Sequence, residues 1–235
     1  MESIAKVAWR AGVREAFAAP IWVLGVGYLG FGSLAQAQGL GRANSVLSTV
    51  SIWALPGQLI LVEMNALSAP YVAIVLAVAL SAARFLPMTV ALLPHLRAAG
   101  GPGWRYYAAA HVLAMTSWAV AMRRYPSQSA AERLPFFFGF ALTMWVACMG
   151  FTTAGYLLAH AMPRPLTVAF VFSNPIYFIL ILTTDLRSRD IALALLCGAF
   201  AGPLVHLVAP QWSVVGGGVV GGSVAFALTR GRTRG

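Results

Sequence analysis

The chain has 235 residues, 60% hydrophobic and 9% charged, with 16 Lys and Arg against 6 Asp and Glu for a formal net charge of +10. A mean hydropathy of +0.78 excludes a water-soluble globular domain, because too few polar side chains remain to cover its surface. The cations stand in ones, twos and threes between apolar runs, which is the placement of membrane-flanking loops and not of a nucleic-acid-binding stripe.

The composition predicts an all-α integral membrane protein with about eight (seven to eight) transmembrane helices, at roughly 20 apolar residues per crossing. No separate soluble domain, cofactor or metal site is expected. Cys148 and Cys197 lie inside apolar runs without metal or redox spacing and read as packing residues.

The start, Met1 to Ala16, lacks the order of a cleavable signal and is expected to be retained. Lys6, Arg10 and Arg14, spaced by four, share one helical face beside Trp9, as in a short helix at a cytoplasmic surface. The first span runs from about Phe17 to Ala35. Its Gly25, Gly27 and Gly30 spell a GxGxxG pattern, but with no preceding strand, and with Val50 where a dinucleotide site needs an acidic residue about 20 positions on, the glycines read as close helix packing.

The second span, Ala43 to Met64, is interrupted by Leu55, Pro56, Gly57 and Gln58. A helix that gives up backbone hydrogen bonds inside a membrane needs other partners for them. The third run passes Arg84, Pro87 and Pro94 to Leu96, too long for one straight helix and carrying a cation that costs roughly 2.5 kcal/mol or more at a bilayer centre. A fourth span, Tyr106 to Met122, carries His111. The fifth, Leu134 to Met162, holds His160, and the sixth, Leu166 to Thr184, holds Ser173, Asn174 and Pro175. A charged turn from Asp185 to Asp190 follows. A break near Pro210 to Trp212 then separates a seventh span, Ile191 to Val208, from a glycine-rich eighth, Ser213 to Leu228.

Placing the N-terminus inside puts eleven Lys and Arg in the cytoplasm and four, Arg42, Arg97, Arg105 and Arg164, on the other side, so both termini are expected to be cytoplasmic. An internal repeat is suggested by the prolines. Pro87 and Pro94 recur as Pro203 and Pro210, 116 residues later, and Pro56 corresponds to Pro175, 119 later. The expected partition is a first half over 1–97, a linking helix and basic loop over 98–133, a second half over 134–212, and a C-terminal helix and basic tail over 213–235, within one membrane domain. Paired interruptions of this kind point to a transport site between half-helix termini. Parallel and inverted arrangements both remain open, the inverted one requiring a re-entrant segment.

An amino acid presents a carboxylate and an ammonium, so its site needs N–H groups at a helix N-terminus and carbonyl or side-chain acceptors. Ser51, Pro56, Gly57, Gln58, Ser173, Asn174 and Pro175 offer these at the two broken spans, with Arg84 as the added cation. Helix-to-helix hydrogen bonds are the alternative role for Gln58 and Asn174, and pairing with carbonyls is the alternative for Arg84. His111, His160 and His206 read as interfacial or hydrogen-bonded, and Trp53, Trp118 and Trp145 as packing or lipid-facing. No Ser/His/Asp set, HExxH motif or carboxylate pair suggests an enzyme.

The residues resemble the AzlC-like permeases, the large subunits of branched-chain amino acid exporters. The likeness runs through Phe17 to Gly32 with Pro20 and its glycines, a Gly39-containing loop, Ser48 to Gln58, Arg84, and the Asn174-Pro175 segment. The chain departs from that pattern at Ala54-Leu55 before its Pro56-Gly57, and at Ala82 two positions before the arginine. The resemblance implies a secondary transporter exporting branched-chain or other hydrophobic amino acids from the bacterial cytoplasm, together with a small AzlD-like membrane subunit. The Gly217-x-x-x-Gly221 face suits that partner or a second copy of the chain. An uncoupled channel and a non-transporting scaffold are the alternatives.

Overall fold

In the computed structural model the chain is described over residues 3–98, 100–184, 189–208 and 213–230. These residues form twelve α-helices and no strand. Two compact units divide the chain, Met1–Asn174 and Pro175–Gly235. By length and composition one helix, Ala130–Leu158, suits a membrane crossing alone. Two bent pairs, Ile4–Phe17 with Pro20–Ala37 and Tyr71–Ala82 with Phe85–Arg97, suit one each.

The first unit is built along α9 (Ala130–Leu158). Its start is set by Ser129, whose backbone N–H and hydroxyl both donate to the Glu132 carboxylate at 2.7 Å. These bonds close the capping box that starts the helix. Against α9 lie α1 (Ile4–Phe17) and α2 (Pro20–Ala37), joined at a 55° bend.

Glycines on both sides set these contacts. Gly12 faces the backbone of Phe136 and Phe140, Gly139 faces Trp9, Gly32 faces Thr152 and Tyr156, and Gly155 faces Leu29, each so closely that a Cβ would strike a carbonyl oxygen. Positions rise together along both elements, so α1 and α2 run parallel to α9. Gln36 Nε2 then donates to His160 Nε2 at 3.1 Å across their C-terminal ends. The N-terminal cations do share an exposed side of α1, while Ala8, Gly12 and Ala16 on the same helix are buried.

Two expected spans are instead helical hairpins. The first pairs α3 (Arg42–Ser51) with α4 (Leu55–Ala66). It leaves from the C-terminal end of α2 and returns there, where Leu34 and Gln38 share a cavity with Glu63, Ala66 and Leu67. After α5 (Tyr71–Ala82) and α6 (Phe85–Arg97), the second hairpin pairs α7 (Trp104–His111) with α8 (Met115–Arg124). Both its ends sit at the N-terminal end of α9. Arg105 of α7 lines a cavity with Lys6 and Ala131, and Arg124 of α8 forms an ion pair with Glu15. The two hairpins therefore enter the first unit from opposite ends.

This corrects three expectations. The break precedes the proline: Ile52 to Ala54 are unwound, and Pro56 occupies the first turn of α4, where its missing N–H removes no helical bond. Its counterpart is not at Pro175, because α10 (Arg164–Thr184) continues through Ser173, Asn174 and Pro175. A proline removes few helical bonds, and a helix can bend or readjust without unwinding. The counterpart lies at Val112 to Ala114. The two helix-starting residues Ala54 and Ala114 are sixty positions apart, and both have extended backbones. Finally, Arg97 and Arg105 belong with Lys6 and Arg124, since the Arg97 guanidinium lies 5.4 Å from the Tyr106 ring and Arg105 shares the Lys6 cavity.

The α5–α6 run bends by 48° at Ala83 and Arg84. In the second unit, α11 (Arg189–Val208) packs on α12 (Ser213–Arg230). A Cβ at Gly217 would lie 2.6 Å from Gly202 Cα, and one at Gly221 2.8 Å from Gly198 Cα. The glycine face offered to a partner is therefore used within the chain. The charged turn at 185–188, the break at 209–212 and the tail at 231–235 lie outside the described residues.

Replacing Gly155 with Val is expected to force α2 from α9 and cost about 3 kcal/mol, at the upper end for overpacking because backbone faces backbone. Gly150→Ala, with no atom within 4 Å of the new Cβ, serves as the control. Thermal unfolding of the purified protein checks this, and equal midpoints for the two variants would refute the packing argument.

Candidate functional site

The tips of the two hairpins meet. Trp53 Nε1 donates to the Val112 carbonyl at 3.1 Å, and His111 Nε2 donates to the Val50 carbonyl at 3.0 Å. The Trp53 bond joins the two unwound segments, and the His111 bond takes up an end carbonyl of α3, as burial of unpaired backbone demands. Trp53 takes a left-handed backbone, φ 50°, costing of order 1 kcal/mol for a non-glycine residue. Stacking of its ring on Tyr28 at 5.6 Å and the bond to Val112 offset that cost. His111 packs edge-on against Trp145 at 5.9 Å.

Because α4 and α8 start at these tips, their N-termini converge on one centre, while α3 and α7 deliver their C-terminal carbonyls to it. N–H groups and carbonyls are therefore presented together, the first carrying partial positive and the second partial negative charge.

Gln58, in the first turn of α4, is fully buried. Its Nε2 donates to Ser48 Oγ at 3.0 Å and Thr49 Oγ1 at 2.9 Å. Both hydroxyls already donate to the Ser45 carbonyl, so each offers lone pairs to the amide N–H groups. Thr49 also bonds Thr152 of α9 at 3.0 Å. This leaves Gln58 Oε1 buried without a partner. The same holds for Thr116 Oγ1 and Trp118 Nε1 in the first turn of α8, and for Trp145 Nε1 on α9. A buried unpaired polar group costs about 1–3 kcal/mol; among the described residues these four stand at or beside the pair of breaks, and three more, on Tyr125, Gln128 and Arg133, stand where α8 leads into α9.

The other expected site residues are placed unevenly. Gly57 is buried, and a Cβ there would lie 3.0 Å from Ile52 and 3.5 Å from Val78 of α5, so its small size serves helix approach. Pro56 and Ser51 are exposed, and Ser51 Oγ donates to its own helix at Leu47. Arg84 sits at the α5–α6 bend, exposed, with its guanidinium 5.2 Å from the Phe85 ring. Ser173 Oγ donates to Phe170 within α10, and Pro175 is exposed. The Asn174 side chain lies outside the described residues.

Thr49, Thr116, His111, Trp118 and Trp145 join the centre although sequence reasoning gave them packing or peripheral roles or none. The usable signal was the similarity of Ile52-Trp53-Ala54-Leu55 to Val112-Leu113-Ala114-Met115 at an offset of sixty. Among the described residues, no group of three His, Cys, Asp or Glu side chains comes together as metal ligands would.

Residues 20–162 match the family described as AzlC protein. That stretch contains α2 through α9 and both hairpins. No curated protein and no solved structure matches the chain.

Trp53→Phe keeps the ring stack and removes the bond to Val112, leaving a buried carbonyl unpaired. The expected cost is about 1–3 kcal/mol of unfolding free energy. Denaturant titration of the full chain measures it, and an unchanged midpoint would mean that the cross-tip bond contributes nothing.

Proposed function

Since the chain belongs to the AzlC family, which ties it to branched-chain amino acid transport, we propose that it is a secondary exporter of branched-chain or other hydrophobic amino acids. The observation that carries this reading is the convergence of two half-helix N-termini and two C-terminal carbonyl ends on a centre with unpartnered buried polar atoms. A carboxylate suits the N–H groups of α4 and α8 together with the Thr116 hydroxyl and Trp118 indole. An ammonium suits Gln58 Oε1 and the tip carbonyls. Trp53, Tyr28 and Trp145 line the same region with apolar surface for a hydrophobic side chain. No enzymatic role is assigned.

In this reading the protein is a multi-pass protein of the bacterial cytoplasmic membrane, with α3–α4 and α7–α8 re-entrant. In the first unit, eight Lys and Arg (Lys6, Arg10, Arg14, Arg97, Arg105, Arg123, Arg124, Arg133) lie at the N-terminal end of α9. Arg42 and Arg164 lie at the other end, with Arg84 between. The excess supports a cytoplasmic N-terminus more strongly than the eleven-to-four division. A hairpin returns to its own side, so eight apolar runs still bring both termini to the cytoplasm. A small AzlD-like subunit is the proposed partner, and self-association remains its competitor.

Two experiments test these statements. Thr116→Val is isosteric and removes a hydroxyl with no partner in the protein. It is expected to leave thermal stability unchanged or raised, yet to cut leucine efflux from loaded vesicles at least about tenfold, the value of one hydrogen bond to a charged group. Intact efflux would remove the centre from the transport path, and wild-type efflux insensitive to an uncoupler would favour a channel.

Single cysteines at Lys6 and Arg105, in a background with Cys148 and Cys197 replaced by Ser, are expected to label from one side of intact cells. Cysteines at Arg42 and Arg164 are expected to label from the other. Labelling of position 105 together with position 42 would refute the re-entrant second hairpin.

A further inference from the structure

A cavity of about 960 Å³ opens at the N-terminal end of α9, between α1, α7 and α9. Lys6, Arg10 and Arg105 line it, together with Trp9 and Trp104, both exposed. The Arg105 guanidinium lies 5.8 Å from the Trp104 ring. Inward from this mouth the walls are Leu134, Phe138 and Leu142 of α9, and the cavity reaches Val112 at the second tip. No acidic side chain lines it among the described residues.

The charge balance discriminates between occupants. A zwitterionic amino acid gains little from Lys6 and Arg105, because no carboxylate among the described lining residues receives its ammonium. An anion with a long apolar tail satisfies both the cationic mouth and the apolar walls, and tryptophans at the mouth suit the boundary between headgroup and acyl chain. Basic pockets between membrane helices on the cytoplasmic side take anionic headgroups in this way.

The geometry points to an anionic-phospholipid site, with the phosphate held by Lys6 and Arg105 beside Arg10 and an acyl chain along Leu134, Phe138 and Leu142. This inference rests on the membrane placement proposed above, but not on the transport assignment. An anionic lipid seated here braces the second hairpin against α1 and α9.

The full chain, purified in neutral detergent and supplied with equal phosphatidylglycerol and phosphatidylcholine, is examined by native mass spectrometry. The wild type is expected to retain phosphatidylglycerol preferentially. Lys6→Gln and Arg105→Gln each lower that retention about fivefold, from the usual contribution of one basic residue near an anionic headgroup. The charge-conserving pair Lys6→Arg and Arg105→Lys keeps it, and so does Arg42→Gln at the opposite end.

Equal retention of the two lipids, or wild-type retention by the double Gln variant, would overturn the site. Displacement by inorganic phosphate alone would reduce it to a phosphate site, and displacement by leucine would make the cavity a substrate path; either refutes the lipid. Leucine efflux from phosphatidylcholine vesicles is read separately. Its persistence after the loss of lipid retention leaves transport standing, and its absence beside intact retention removes transport and leaves the lipid site.

Discussion

Everything central in this molecule depends on how two stretches of unwound backbone are kept hydrogen-bonded far from water. Each hairpin tip on its own would leave carbonyls without partners, at a cost that neither half recovers locally. Together they satisfy each other, with the Trp53 indole on the Val112 carbonyl and the His111 imidazole on the Val50 carbonyl. Neither break is therefore an independent feature. The first exists in this form because the second is present.

That arrangement requires a frame that holds the tips in register, and the glycine contacts along α9 supply it. Gly12, Gly32, Gly139 and Gly155 bring backbone to within contact of backbone. The Thr49 to Thr152 bond then fastens the first hairpin to α9, and Gln58 extends that fastening into the first turn of α4. The result is a centre whose walls are fixed while several of its polar atoms are not consumed by the fold. In a packed interior nearly every buried polar atom finds a partner, and at these breaks four do not.

The bend at Arg84 belongs to the same design. A cation on an apolar helix is costly wherever lipid surrounds it. Here it stands where the α5–α6 run kinks, with its guanidinium over the Phe85 ring.

Much of this was legible from composition and local pattern. Hydropathy pointed to an apolar chain, the glycine runs in α2 to close helix packing, and the length of the Tyr71 to Arg97 stretch to a bend. Pro56 and Gln58 drew attention to the right segment, and Gln58 does sit at the centre. The misplaced features share one cause. Prolines are conspicuous in a sequence, so Pro175 was taken as the mark of a second break, whereas α10 absorbs it and the second break occurs in Val112-Leu113-Ala114, which contains no proline or glycine. Apolar residues of that kind are compatible with helix or with unwinding, and only the partner donors and acceptors across the gap decide between them. By itself the sequence determined that the chain is helical, apolar and interrupted near Pro56. Which second segment is interrupted, and that both hairpins turn back to meet, was decided by tertiary contacts, because a hydrogen bond from the Trp53 indole to the Val112 carbonyl leaves no signature at either position alone.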